Sequence, residues 1–218
     1  MDIALDDVEV RILGCLMEKE LTTPDNYPLS LNALTNACNQ KSNRNPVVSL
    51  DEPAVAQGLE RLQKKGLARK THSEGGRVPK FLHAILDRFD LSRQEMAVLC
   101  ELLLRGPQTV GELRTRGERM AGFENLGEAE KSVQVLVEHS PPLAIRLSRE
   151  PGRKECRYMH LFFGEIRAEK AGHELPDIEP APEMGMHEKI TRLEEVVERL
   201  SRELEELKQA LLVFKSQF

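Results

Sequence analysis

Apolar residues recur along this chain at helical spacing, interrupted twice by short alternating runs. Val8, Ile12, Cys15 and Leu16 mark one face of a first helix that starts at Asp6 or Asp7 and ends near Glu20. The stretch from Thr22 to Pro28 is dense in turn formers. Ser30 is placed to cap a second helix whose inner positions are Leu31, Leu34 and Cys38. Ser49, with Glu52 three residues on, has the form of a capping box for a third helix, and Pro53 lies in its first turn. Val55, Leu59, Leu62 and Gly66 then share a face, with Gln57, Glu60, Arg61 and Lys64 on or near the opposite one. Leu67 to His72 and Pro79 to Ala84 read as strands around the turn formers Ser73 to Gly76. Three helices closed by a basic hairpin is the order of a winged helix-turn-helix, in which the third helix enters a DNA groove and the hairpin lies on the backbone beside it.

The pattern returns at a constant offset. Ile12-Leu13 and Leu16-Met17 have counterparts in Val98-Leu99 and Leu102-Leu103, and Thr23 has one in Thr109. A second helix of this copy is predicted from about Val110 to Met120 and a third from about Leu126 to Glu138, with Val133, Leu136 and Val137 inward. Its hairpin strands are Leu143 to Ser148 and Cys156 to Phe162. Beyond residue 167 the texture changes. Residues 168–185 form an acidic, Pro-containing linker. From Met186 to Phe218 the apolar residues step by four and three without a break. That is the seam of a coiled coil, carried by Ile190, Leu193, Val197, Leu200, Leu204, Leu207 and Leu211. β-Branched residues at a with Leu at d favour a parallel pair, so a homodimer through this helix is expected. Folding back of the same helix onto its own domains is the alternative.

The fold class predicted is therefore mainly α with small β-hairpins (α+β): two tandem winged helix-turn-helix domains, residues 1–88 and 89–167, plus the linker and a C-terminal coiled-coil helix at 186–218. A resemblance points the same way. Thr22-Thr23-Pro24, Tyr27 to Leu34, Ala37 to Arg44, Pro46-Val47 and Glu95 to Gly106 are similar to the YceH family of uncharacterised bacterial proteins, over roughly residues 5–165. The resemblance implies two winged-helix domains in tandem, and no activity.

Charge sharpens the functional reading. The net charge of −5 comes from the C-terminal segment: residues 1–89 hold 12 basic and 12 acidic side chains, residues 90–167 hold 12 and 12, and residues 168–218 hold 7 and 12. Within residues 41–80 nine basic side chains face four acidic ones, a local +5. Lys41, Arg44, Arg61, Lys64, Arg69, Lys70, Arg77 and Lys80 are the candidate DNA contacts, and Gln57 and Arg61 the candidate base readers. Asp51, Glu52 and Glu60 count against deep insertion of the third helix, so a backbone-led contact is expected. The run Asn39 to Pro46 suits a phosphate-tracking loop or a self-hydrogen-bonded one. In the second copy, residues 124–139 carry four acids and one base, a poor surface to set against phosphates, although the hairpin that follows is basic.

Aromatics make up 4% of the chain with no Trp, which argues against a base-stacking platform. Cys15, Cys38, Cys100 and Cys156 form no CxxC pair and read as small hydrophobes in a reducing, cytoplasmic compartment. On a strand, Cys156 and His160 stand about 13 Å apart, too far to share zinc. Neither a metal or other cofactor nor enzymatic activity is expected, and no membrane association. The functional expectation is a regulator-like or architectural protein that binds duplex DNA through the first domain. The alternative is a protein–protein scaffold of tandem winged helices without DNA binding, with a protein partner at the second domain. If the heptad seam pairs two chains, removing residues 186–218 halves the mass measured by light scattering, and an intact chain already monomeric at micromolar concentration contradicts the pairing.

Overall fold

The structure is a computed structural model, and it describes residues 3–72, 78–149 and 155–163. Among these, six α-helices alternate with short antiparallel strands. The first half runs α1 (Asp7–Thr22), β1 (Leu29–Ser30), α2 (Leu31–Cys38), α3 (Glu52–Lys64), β2 (Ala68–His72) and β3 (Pro79–His83). The second runs α4 (Arg93–Arg105), α5 (Val110–Gly117), α6 (Leu126–Glu138), β4 (Ala144–Arg146) and β5 (Tyr158–His160). None of these helices is long and apolar enough to cross a membrane. The linker, the heptad helix with its seam residues, the first hairpin turn and Arg77 lie outside the described residues.

Local chemistry sets most of these boundaries. Asp6 caps α1 through a reciprocal box with Glu9, Ser30 caps α2, and Ser92 and Thr109 open α4 and α5 with boxes to Glu95 and Glu112. The cap of α3 corrects the sequence reading. Asp51, two residues after Ser49, accepts from the Ala54 N–H at 2.9 Å. A carboxylate at that end also favours the positive pole of the helix, which a hydroxyl does not. The helix closes at Gly66, whose φ of +70° is open only to a residue without Cβ strain.

Strand β1 was not foreseen. Leu29 pairs with Phe81 and Ser30 with Lys80, so the first hairpin is a three-stranded sheet in the order β1-β3-β2. A two-residue strand is too short to show alternation, so no periodicity announces it.

One hydrophobic core runs through both halves, from Ile3 and Leu5 to Phe162. Helix α1 is buried almost all round, including the polar Glu9, Arg11 and Glu18. It packs on α3 by one side and on α4 by another, and glycine permits both approaches. A Cβ on Gly58 would meet Ile12 Cδ1 at 2.7 Å, and one on Gly14 would meet Leu104 Cδ2 at 2.9 Å and Leu103 Cβ at 3.2 Å. At that second crossing Cys100 donates from Sγ to the Gly14 carbonyl at 3.3 Å. Leu5 adds a backbone bond to the Phe162 carbonyl at 2.7 Å. With the core shared, residues 3–163 unfold in one cooperative step. Gly14→Val overpacks the crossing and lowers the unfolding free energy by about 1–3 kcal/mol in urea titrations, and two separated transitions in the unsubstituted chain contradict the shared core.

Candidate nucleic-acid interface

The candidate surface is the exposed side of α3 and the ribbon after it. Because Val55, Gly58, Leu59 and Leu62 face the core, α3 turns Glu52, Gln57, Glu60 and Lys64 outward. That face is close to neutral, as the acids in its sequence foretold. Arg61 leans back toward α1, with its Nη2 2.8 Å from Asp6 Oδ2 and its Nε 3.5 Å from Glu9 Oε1. Lys65 is pinned more firmly, to both Glu9 oxygens and the Ala4 carbonyl. On the ribbon Arg69 is ion-paired with Asp87. Register places Lys70 opposite Phe81 and Lys80 opposite Thr71, so the two lysines project from opposite faces of the ribbon. Lys70 is exposed and Lys80 half-buried. Lys41 is exposed at the start of the loop between α2 and α3.

Arg44 corrects the expectation for that loop. It is 6% exposed and belongs to the interior. Its guanidinium lies against Glu18 in a fork, Nη1 to Oε1 at 2.9 Å and Nη2 to Oε2 at 2.6 Å, and it donates further to the Ala37 carbonyl and Gln40. The rest of the loop is tied down too. Asn39 makes a two-way bridge with the Leu50 backbone, the Asn45 N–H donates to the Leu104 carbonyl at 3.0 Å, and Arg105 is hydrogen-bonded to Asn43. Of the two roles open to this segment, the self-bonded one describes it better, with α4 as an added partner.

Glu18 is the centre of an ionic cluster absent from the sequence reading. Beside Arg44 it accepts from Arg119 Nη2 at 2.6 Å, and Arg119 also reaches Glu101 Oε1 at 3.2 Å. Arg105 Nε stands 2.9 Å from Glu101 Oε2. Both carboxylates have side chains with no solvent exposure. Burial alone pushes the Glu18 carboxyl up, but hydrogen bonds and charge from Arg44, with Arg119 and Lys19 behind them, hold it at about 2. One signal was available: α1 carries Glu18 at the end of a nearly unbroken apolar run, Val10 to Met17, which marks a helix covered on every side.

In the second half Arg157 is engaged with Glu112 and the Pro107 carbonyl, and Arg146 with Cys156 Sγ. Helix α6 exposes Glu130, Lys131 and Glu138, together with Leu126 at 50% and Val135 at 43%.

A family model described as a protein of unknown function, DUF480, matches residues 5–153. The chain is 52% identical to a UPF0502 protein of Geotalea uraniireducens over 100% of both chains. It is 51% identical to one of Pelobacter propionicus and 50% identical to one of Geobacter sulfurreducens, again over 100% of both.

Glu18 makes a measurable pH signature. Its folded value is depressed from an ordinary 4.5 to about 2, so its contribution is complete above pH 5 and is lost as pH falls toward 2. The loss amounts to about 3 kcal/mol. His160 adds a loss of the same sign, since burial holds it at about 3, but that is common to any Glu18 variant. Urea titrations at pH 7 and pH 3 will show a smaller acid-induced loss in Glu18→Gln, which is also destabilised at pH 7 by about 3 kcal/mol because Arg44 is left buried without its counter-ion. Equal acid sensitivity in the two proteins contradicts the assignment.

Proposed function

The chain belongs to the DUF480 family, and for it we propose a DNA-binding role built on two tandem winged helix-turn-helix units. Contact is led by the phosphate backbone and made by the first unit. The observation that carries this reading is the set Lys41, Lys64, Lys70 and Lys80, none of which makes an ion pair among the described residues. They follow the loop, the end of α3 and both faces of the ribbon. Lys70 lies on the edge strand β2 and Lys80 on the central strand β3. Arg61 and Arg69 stay in the proposed interface as exchangeable cations. Partly exposed ion pairs are worth about 0–1 kcal/mol, so a phosphate competes with Asp6 or Asp87. Gln57 is the remaining side chain of α3 suited to a base edge. Arg44 leaves the proposal, because freeing it breaks the Glu18 pair.

A second reading has its own observation. Helix α6 is acidic and carries two exposed apolar side chains, Leu126 and Val135, a composition better suited to a protein partner than to a groove. Under it the protein is a scaffold and not an enzyme, and a stoichiometric protein partner is recovered from nuclease-treated lysate.

Four lysine–phosphate contacts give a slope of log affinity against log salt of about −3.6, or roughly a 150-fold loss between 50 and 200 mM salt. Fluorescence anisotropy with mixed-sequence duplex measures it. The variant K64A/K70A/K80A is expected to flatten the slope by about three and to weaken binding for all sequences alike. Absence of binding at 50 mM salt removes the reading.

A further inference from the structure

Beside the crossing of α1 and α4 lies a cavity of about 340 Å³. Val8 and Val10 of α1, Leu50 of the loop before α3, Leu103 of α4 and Phe163 supply apolar wall. Arg11 and Arg105 also line it, with Asp7 the one carboxylate among the described lining residues and His160 beside it. The volume falls in the range of small-molecule sites, and a dominantly apolar wall with a few polar groups is their usual make-up.

Arg11 sets the chemistry. It is 6% exposed, and its hydrogen bonds go to neutral acceptors, the Cys38 carbonyl at 3.3 Å and the Pro46 carbonyl at 2.5 Å. The carboxylate of its own helix, Glu18, is held by Arg44 and Arg119, and Arg105 shares Glu101 with Arg119. Asp7, on the first turn of the same helix, bears on His160. Arg11 is therefore a buried guanidinium whose hydrogen bonds reach carbonyl oxygens, while Glu18 and Glu101 are taken up by Arg44, Arg105 and Arg119. A buried cation lacking a counter-ion is costly, and an arriving anion removes that cost.

We propose that this cavity binds a small apolar carboxylate of the fatty-acid type. The carboxylate sits at Arg11 and Arg105, and the chain lies against Val10, Leu50, Leu103 and Phe163. A cavity of about 340 Å³ is of the size that takes a medium-chain carboxylate such as octanoate. The site is independent of the nucleic-acid reading, since none of its lining residues belongs to the lysine set.

Isothermal titration of the full chain with octanoate, octanol and acetate separates the contributions. Octanoate binds at sub-millimolar concentration. Octanol, which lacks the charge, and acetate, which lacks the chain, each bind at least about tenfold more weakly. Substituting Arg11 endangers the fold, because it ties α2 and the loop to α1. Val48→Trp, at a half-buried lining position, fills the cavity instead and weakens octanoate by at least about tenfold while the circular-dichroism melt stays cooperative. Failure of octanoate to bind at millimolar concentration, equal binding of octanol, or undiminished binding by the folded V48W variant overturns the proposal.

Discussion

The carboxylate of Glu18 is an ionic link between the two halves of the described structure, added to the core they share. It sits on the most buried helix, accepts from Arg44 on one side and Arg119 on the other, and so joins the loop before α3 to the segment after α5. Charges without solvent exposure are tolerable only when each has its partner and good geometry. The fork from Arg44 meets that condition, and it fixes the loop as firmly as any apolar contact. The shared core then follows: once the loop is clamped to α1, Asn45 is in place to reach the end of α4, and α1 can be covered by both α3 and α4.

This clamp changes how the electrostatics of the first half are read. The local excess of +5 between residues 41 and 80 is not all surface charge. One of those cations is interior, Arg61 and Lys65 are turned toward Asp6 and Glu9 at the start of α1, and Arg69 faces Asp87. Among the described residues, what remains outward is lysine. Lysine ammoniums act as point charges, whereas bidentate recognition belongs to arginine. A surface with its arginines engaged and its lysines outward is matched to phosphates more than to base edges.

Much of the fold was legible in the sequence, and the pattern of success is physical. Helix starts are close to the sequence reading: α1 and α2 begin at the caps Asp6 and Ser30, and α6 begins at Leu126. The cap of the third helix is ambiguous in the sequence because Ser49 and Asp51 both offer an oxygen, and only the geometry of the first turn decides between them. Both hairpins were found by alternation, while β1, two residues long, carries none. The candidate interface was less legible. Lys64 and Lys70 are exposed as a period count suggests. Arg44 is not, since its environment is set by Glu18, 26 residues earlier, and no local spacing reports that pairing. The same holds for the partners of Arg61 and Arg69, which lie on other elements.

The contact between Gly14 and Cys100 joins residues 86 positions apart, the very interval at which the helix patterns of the two halves correspond. Equivalent positions touching one another is the property of an isologous interface, where like meets like across an axis. In a pair of identical chains every change at such an axis is made twice. Within one chain it is made once, so each side drifts alone. Gly14 now faces a cysteine, Cys15 corresponds to Glu101, and Glu18 corresponds to Leu104. A covalent link between the halves thus releases the interface from symmetry, and an asymmetric arrangement of acids and arginines becomes accessible that no twofold assembly of one half can reach.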